Sequence, residues 1–435
     1  MQLQEQPEEE DSSALNSPPL PASQVGLRTF EALRDPNFRW FFAAQLGSFA
    51  AMNMQMFIRG WLVFELTGSF TALGLMSLAN GAVGFFLAPA GGVLADRVRQ
   101  KKHVVQICQV VSALLALAIG VIIARDSLRF PQLLAAALVQ GAAMSTMMPS
   151  RQALAADVAG RDRLMNVISL NTAGMNAARL LMPGVAGWMV GFLGAGNGNI
   201  LPTQYVYFAM AGLYGWAVAG LFFVVVRDRA PTATHAPSPL EELRIGFLYV
   251  LETPRIRMLL LANFFMVFFG MAYFMLLPGY AKEVLGTGPE RLGLLVSISG
   301  IGALVGSLVI ASLPSRRRGL LLLGSVLVLS LGLLAFSAST DYWLSVALLA
   351  VVGLGQGGRM SLSNVLIQSY VDDEFRGRVM SIYMMEFALM NISIYPIGLL
   401  ANRVGPQLAV GASGLGLLVL FAVLFFWVPD YRRLD

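Results

Sequence analysis

The chain has 435 residues, 56% of them hydrophobic and 13% charged, with a formal charge of +5 and a mean hydropathy of +0.67. A soluble domain carries about 25% charged residues, so this composition excludes a disordered chain, a disulfide-rich secreted scaffold and an ordinary cytosolic enzyme. It indicates an all-α polytopic membrane protein.

Residues 1–35 are polar and proline-rich, with an acidic run from Glu8 to Asp11, and read as a disordered cytoplasmic tail. They lack the basic start and apolar core of a signal peptide. Apolar runs of bilayer-spanning length follow. Twelve are expected, near 40–64, 71–94, 104–124, 131–154, 165–193 and 203–226, then near 258–281, 291–313, 319–338, 342–369, 379–401 and 406–428. They must be helical, because lipid cannot satisfy open backbone groups. The organisation expected is a six-helix bundle over 36–226, a linker over 227–257, a second six-helix bundle over 258–428 and a short tail over 429–435. Within the linker, Leu240, Leu243, Phe247 and Leu251 recur at helical spacing, as in an amphipathic helix lying on a membrane surface.

Twelve spans place both termini on one side. That side receives 22 of the 30 Lys and Arg residues, the other side five, and three fall within spans. The asymmetry assigns the first side, with both termini, to the cytoplasm. It also accounts for the positive charge without a nucleic-acid partner. Cys108 stands alone, so an intramolecular disulfide is excluded. His103 and His235 are too few to build a His/Cys metal site. No HExxH, GxSxG or GxxxxGK[ST] pattern is present. Neither an enzyme activity nor a cofactor or metal is expected.

The halves repeat each other. Pro36-Asn-Phe-Arg39 matches Pro254-Arg-Ile-Arg257, and Leu73-Gly74-Leu75 with Gly81 matches Leu292-Gly293-Leu294 with Gly300. Met165 and Pro183 find counterparts in Met380 and Pro396. Two six-span repeats are the pattern of a transporter whose bundles rock about a midplane site.

After the second span comes Gly92-Val-Leu-Ala-Asp96-Arg97-Val-Arg99-Gln-Lys101-Lys102. It resembles the cytoplasmic loop motif of the major facilitator superfamily, departing from it at Arg99 and Gln100. Gly92 permits close helix approach, while Asp96 and the neighbouring cations can pair in one conformation and part in another. Arg151 at the base of span four is a candidate fourth member of this latch with Gly92, Asp96 and Arg97. Span five ends in Asn176-Ala-Ala-Arg179-Leu-Leu-Met-Pro183-Gly184-Val-Ala-Gly187, which is similar to the superfamily's antiporter motif at Pro183 and Gly187. The stretches Trp61 to Ser69, Asn176 to Arg179 and Arg376 to Ser381 further resemble the branch of bacterial exporters that includes enterobactin and macrolide efflux proteins. The resemblance implies a monomer in a bacterial inner membrane, exporting a small amphipathic substrate by proton-coupled alternating access.

Ionisable residues at membrane depth are functional candidates by default. Arg59, Arg179, Arg359 and Glu386 fall inside spans, with Asn176 and Gln356 among the embedded amides. Glu386 is the one acid placed well within a span. It is the first candidate for proton coupling, or else a partner that makes a nearby arginine tolerable. The arginines are read as substrate contacts or as structural bridges. By the resemblance all four reach the central cavity, and three positive charges against one negative favour anionic or zwitterionic amphipaths. An uptake symporter or facilitator of the same fold is the nearest alternative. A non-transporting sensor or lipid-binding scaffold is the alternative of another class.

Overall fold

A computed structural model describes residues 32–97, 101–159, 164–194, 199–226, 239–313 and 316–434. The first half forms α1 (Pro36–Thr67), α2 (Phe70–Arg97), α3 (Lys101–Ala124), α4 (Phe130–Ala159), α5 (Leu164–Phe192) and α6 (Thr203–Phe222). A linker helix α7 (Pro239–Glu252) leads to α8 (Pro254–Gly270), α9 (Ala272–Glu283), α10 (Pro289–Ser312) and α11 (Arg318–Ala338). Then come α12 (Tyr342–Tyr370), α13 (Arg376–Val404), α14 (Pro406–Phe426) and the short α15 (Pro429–Arg432).

The repeated prolines Pro36 and Pro254 both begin helices, where a missing N–H costs nothing. Asp35 completes the start of α1 by accepting the Asn37 amide at 2.9 Å. Eight spans are long and apolar enough to cross a membrane: α3, α4, α6, α8 with α9, α10, α11, α12 and α14. The long helices α1, α5 and α13 carry the embedded Arg59, Arg179 and Glu386, and α2 is apolar over Phe70–Gly84. Together these are compatible with twelve spans. Large apolar side chains such as Trp188, Phe192, Trp343 and Trp427 face outward, as hydrocarbon permits and water would not.

Two features differ from the expectation. The seventh span is interrupted at Met271, between α8 and α9. Helix α2 runs through Asp96 and Arg97, which therefore end a helix instead of sitting in a loop. Helix α7 does form over the linker's periodic stretch. It docks on the start of α13 through Gly246 against Arg378 and through Tyr249, whose ring stacks on Phe375 at 4.2 Å and whose hydroxyl donates to Asp372 at 3.0 Å. Phe247, Leu248 and Leu251 remain exposed.

In the first half α1 packs on α5 and α6, α3 on α4 and α6, and α2 on α4; in the second, α12 packs on α10 and α11, and α11 on α14. The halves meet along two helix pairs, α2 with α13 and α5 with α10. Glycines from the duplicated segments make both meetings close. A Cβ on Gly74 would lie 2.7 Å from the Tyr395 Cα, and one on Gly293 would lie 2.7 Å from the Pro183 carbonyl oxygen. One on Gly398 would lie 2.5 Å from the Phe70 carbonyl oxygen, and one on Gly187 would lie 2.5 Å from that of Pro289. Phe70 and Pro289 open α2 and α10 respectively. The repeat seen in the sequence thus supplies equivalent surfaces to the two contacts between the halves.

Candidate functional site

The two halves are clasped at the end of the bundle remote from the termini. Helix α1 finishes there with Gly68, whose φ of +58° suits a left-handed cap that returns its N–H to the Phe64 carbonyl. The next helix, α2, has its first amide satisfied from the other half: the Phe70 N–H donates to the Asn402 side-chain oxygen at 2.9 Å. The Asn402 amide nitrogen donates in turn to the Ser69 and Thr71 hydroxyls at 2.9 and 2.7 Å. Lys282 of α9 reaches Glu65 of α1 at 2.7 Å, and the Glu65 side chain is only 3% exposed. Beside this ion pair, Gly279 of α9 is pressed against the rings of Phe64 and Phe70, whose centroids are 4.8 Å apart. The stretch from Trp61 to Ser69 therefore holds contacts between the two halves.

Each half carries buried polar groups. In the second half, buried Arg359 on α12 donates through Nε to Gln356 at 3.2 Å and through Nη1 to Asn263 of α8 at 3.1 Å. The Gln356 amide donates to the sulfur of Met271, the residue at the break between α8 and α9. The break thus sits where the seventh and tenth spans share a polar network. Arg359 is a hydrogen-bonded bridge between them. On α8, Phe264 contacts Phe265 and Phe268, and Phe269 lies against Gly416 of α14.

The first half presents a different chemistry. Arg151 on α4 is 6% exposed, and its guanidinium lies over the Phe49 ring at 4.6 Å. Its Nη2 donates to the Met148 sulfur at 2.9 Å, while Nη1 has no partner. Arg59 on α1 is half-buried and lies within electrostatic reach of Tyr207 and Tyr214 of α6; Tyr214 also has Arg151 nearby and donates to Gln55 at 3.2 Å. On α5, Asn176 and Arg179 are exposed, and Arg179 lies within electrostatic reach of Tyr273 of α9. Among the described residues none of Arg59, Arg151 and Arg179 has a carboxylate partner. An unpaired arginine at mid-bilayer depth costs roughly 2.5–3.5 kcal/mol on insertion scales.

The side chains of Gly92, Asp96, Arg97 and Glu386 lie outside the described residues. Near the expected latch, the ion pair that is described joins Lys101 of α3 to Asp157 of α4 at 3.4 Å. Arg151, expected as a latch member, lies over Phe49 and donates to Met148; the side chains of its expected partners Asp96 and Arg97 are outside the described residues. Pro183 and Gly187 stand where α5 meets α10. Other embedded amides tie helices together, as when Gln140 donates to Ser112 at 3.1 Å. Lys282, Asn402 and Asn263 escaped the sequence reading. Glu65 and Lys282 are terminal charges on spans one and seven, a signal that marks each as a charge at a span end without naming its partner. An apolar groove of about 340 Å³ between α5 and α10, with Leu181, Trp188 and Ile301 in its lining, carries no charged side chain and is distinct from the polar walls.

Comparison with known proteins agrees with this architecture. The enterobactin exporter EntS of Shigella flexneri is 25% identical over 408 residues, covering 92% of this chain and 93% of the relative. The nucleoside transporter NupG, in a point-mutant form, superposes with a TM-score of 0.72 at 14% identity, covering 89% of this chain and 99% of that one. A bacterial homologue of the human lysosomal transporter Spinster, in an inward-facing and occupied conformation, superposes with a TM-score of 0.70 at 11% identity, covering 94% and 98%. Residues 41–393 match the Major Facilitator Superfamily, and the chain belongs to that family of membrane transporters.

Proposed function

We propose that this transporter exports small amphipathic molecules by proton-coupled alternating access, as a monomer with both termini in the cytoplasm. The observation that carries alternating access is the arrangement of the halves: two helix pairs built from repeated segments, clasped at the end remote from the termini. With the termini cytoplasmic, this clasp is the outer gate and the conformation is the one that loads from inside. The 22-to-5 distribution of basic residues supports that orientation. Export is supported by the likeness to proteins named as enterobactin exporters across more than nine-tenths of both chains.

In this reading Glu386 is the coupling acid, because it is a carboxyl group that the sequence places within span eleven. A carboxyl in that position alternates between protonated and ionised forms as the cleft opens to either side. The test is transport in proteoliposomes under an imposed pH gradient. Glu386→Gln is expected to abolish gradient-driven accumulation while leaving exchange of substrate for substrate intact. Unchanged gradient-driven accumulation in that variant removes Glu386 from coupling. Accumulation that needs no gradient in the unaltered protein removes proton coupling altogether.

A further inference from the structure

We infer that Arg151, with Arg59 as a second cation in the first half of the molecule, forms a subsite for the negatively charged group of an organic anion with an apolar, aromatic-sized body. The inference deepens the transport reading and rests on it for the claim that this ligand is cargo. Arg151 is a buried cation whose Nη1 has no hydrogen-bond partner. A buried guanidinium is ordinarily satisfied by a carboxylate or by several acceptors, since leaving it bare is costly. Here the remaining neighbours are the Phe49 ring face and the Met148 sulfur, which hold the head group by weak contacts and neutralise none of its charge.

Among the described residues, Asp157 on the helix that carries Arg151 is tied to Lys101, and Glu65 on the helix that carries Arg59 is tied to Lys282. Arg59 adds a second cation within reach of Tyr214, and it has neither a carboxylate nor a hydrogen-bond partner among the described residues. By contrast Arg359 in the other half is held by Gln356 and Asn263, so the bare positive charge belongs to one wall. Arg59 is half-buried and Met148 is exposed, so the subsite is not sealed on their side. The Phe49, Tyr214 and Met148 surroundings disfavour a small hydrated ion and suit an apolar body.

The experiment uses the purified full chain, with naphthalenesulfonate as the anionic probe and neutral naphthalenesulfonamide as its match in shape. Binding is read from the rise in unfolding temperature with probe concentration. The sulfonate is expected to stabilise the protein and the sulfonamide to leave it unchanged. R151Q should bind the sulfonate about thirtyfold more weakly or worse, the loss that follows when one partner of a buried charge pair is removed. R151K should retain most of the binding. Without probe, R151Q should unfold at a temperature no lower than the unaltered chain, because it removes an uncompensated buried charge; a packing role would lower it. Equal response to both probes, undiminished affinity in R151Q, or lowered probe-free stability in both R151Q and R151K overturns the subsite. If R151Q does not fold, R59Q carries the test, and undiminished sulfonate affinity there overturns it. Sulfonate binding without sulfonate transport in proteoliposomes keeps the subsite and removes the transport reading of the cleft.

Discussion

Among single side chains, Glu65 and Lys282 form an ion pair that joins the two halves at the clasped end. The Glu65 side chain is nearly inaccessible while that of Lys282 is 42% exposed. Removing the lysine therefore strands a buried carboxylate, whereas removing the carboxylate frees a lysine that water can still reach. The cost should fall between those of exposed and buried pairs, roughly 1–2 kcal/mol. K282E should accordingly raise the reactivity of a thiol-specific probe at a cysteine placed beside the gate, because two like charges now face each other. The reversed pair E65K/K282E should recover most of the closed state. If the double variant is as reactive as K282E alone, the pair does not hold the gate. The sequence made these residues visible as charges at span ends, but not as partners, because they are separated by 217 positions and nothing local couples them. The same limit applies to the embedded arginines. Arg59, Arg151 and Arg359 look alike in an apolar sequence; Asn263, 96 positions away from Arg359, is what makes that one a bridge.

Between helices, periodicity and duplication carried further. Span positions and the repeat were legible because lipid imposes helical backbone and because Gly74 and Gly293 sit in matching short strings. What the strings do was not legible. The structure has both glycines pressing on the partner half's helix, α13 at Tyr395 and α5 at Pro183. The break at Met271 was hidden because an apolar run looks continuous whether or not its backbone is. Helix α7 was visible from spacing, yet its docking through Gly246 and Tyr249 depends on Arg378, Phe375 and Asp372 far along the chain. The glycine equivalence makes a paired prediction. G74A and G293A each place a methyl group 2.7 Å from a backbone atom, so helices must part, at about 1–3 kcal/mol apiece. Both should lower the unfolding temperature and loosen the clasped end to a similar extent. Because the two contacts are separate, the double variant should show the sum. A marked effect of one glycine alone would mean that the repeat does not act as two equivalent hinges.

In the alternating-access reading, closure is an equilibrium between two packings of the same halves, and small terms at the clasp bias it. Asn402 is the clearest such term. One exposed side chain of the second half satisfies the first amide of α2 and two hydroxyls beside it. These bonds exist only while the halves touch, so their loss acts on closure and spares the folding of each half. An exposed cap of this kind is worth about 1 kcal/mol, which corresponds to about a fivefold change in the ratio of closed to open molecules. Asn402→Ala should therefore broaden the distance between spin labels on the two halves at the clasped end toward longer values. It should leave the unfolding temperature nearly unchanged. Asn402→Asp keeps the acceptor for the Phe70 amide and loses the donors to Ser69 and Thr71, so it should fall between the two. An Asn402→Ala distance distribution identical to that of the unaltered chain would show that glycine packing and the Glu65–Lys282 pair close the gate without this side chain. A large fall in unfolding temperature would place Asn402 in the folding of α2 itself, and gating would then rest on the remaining contacts.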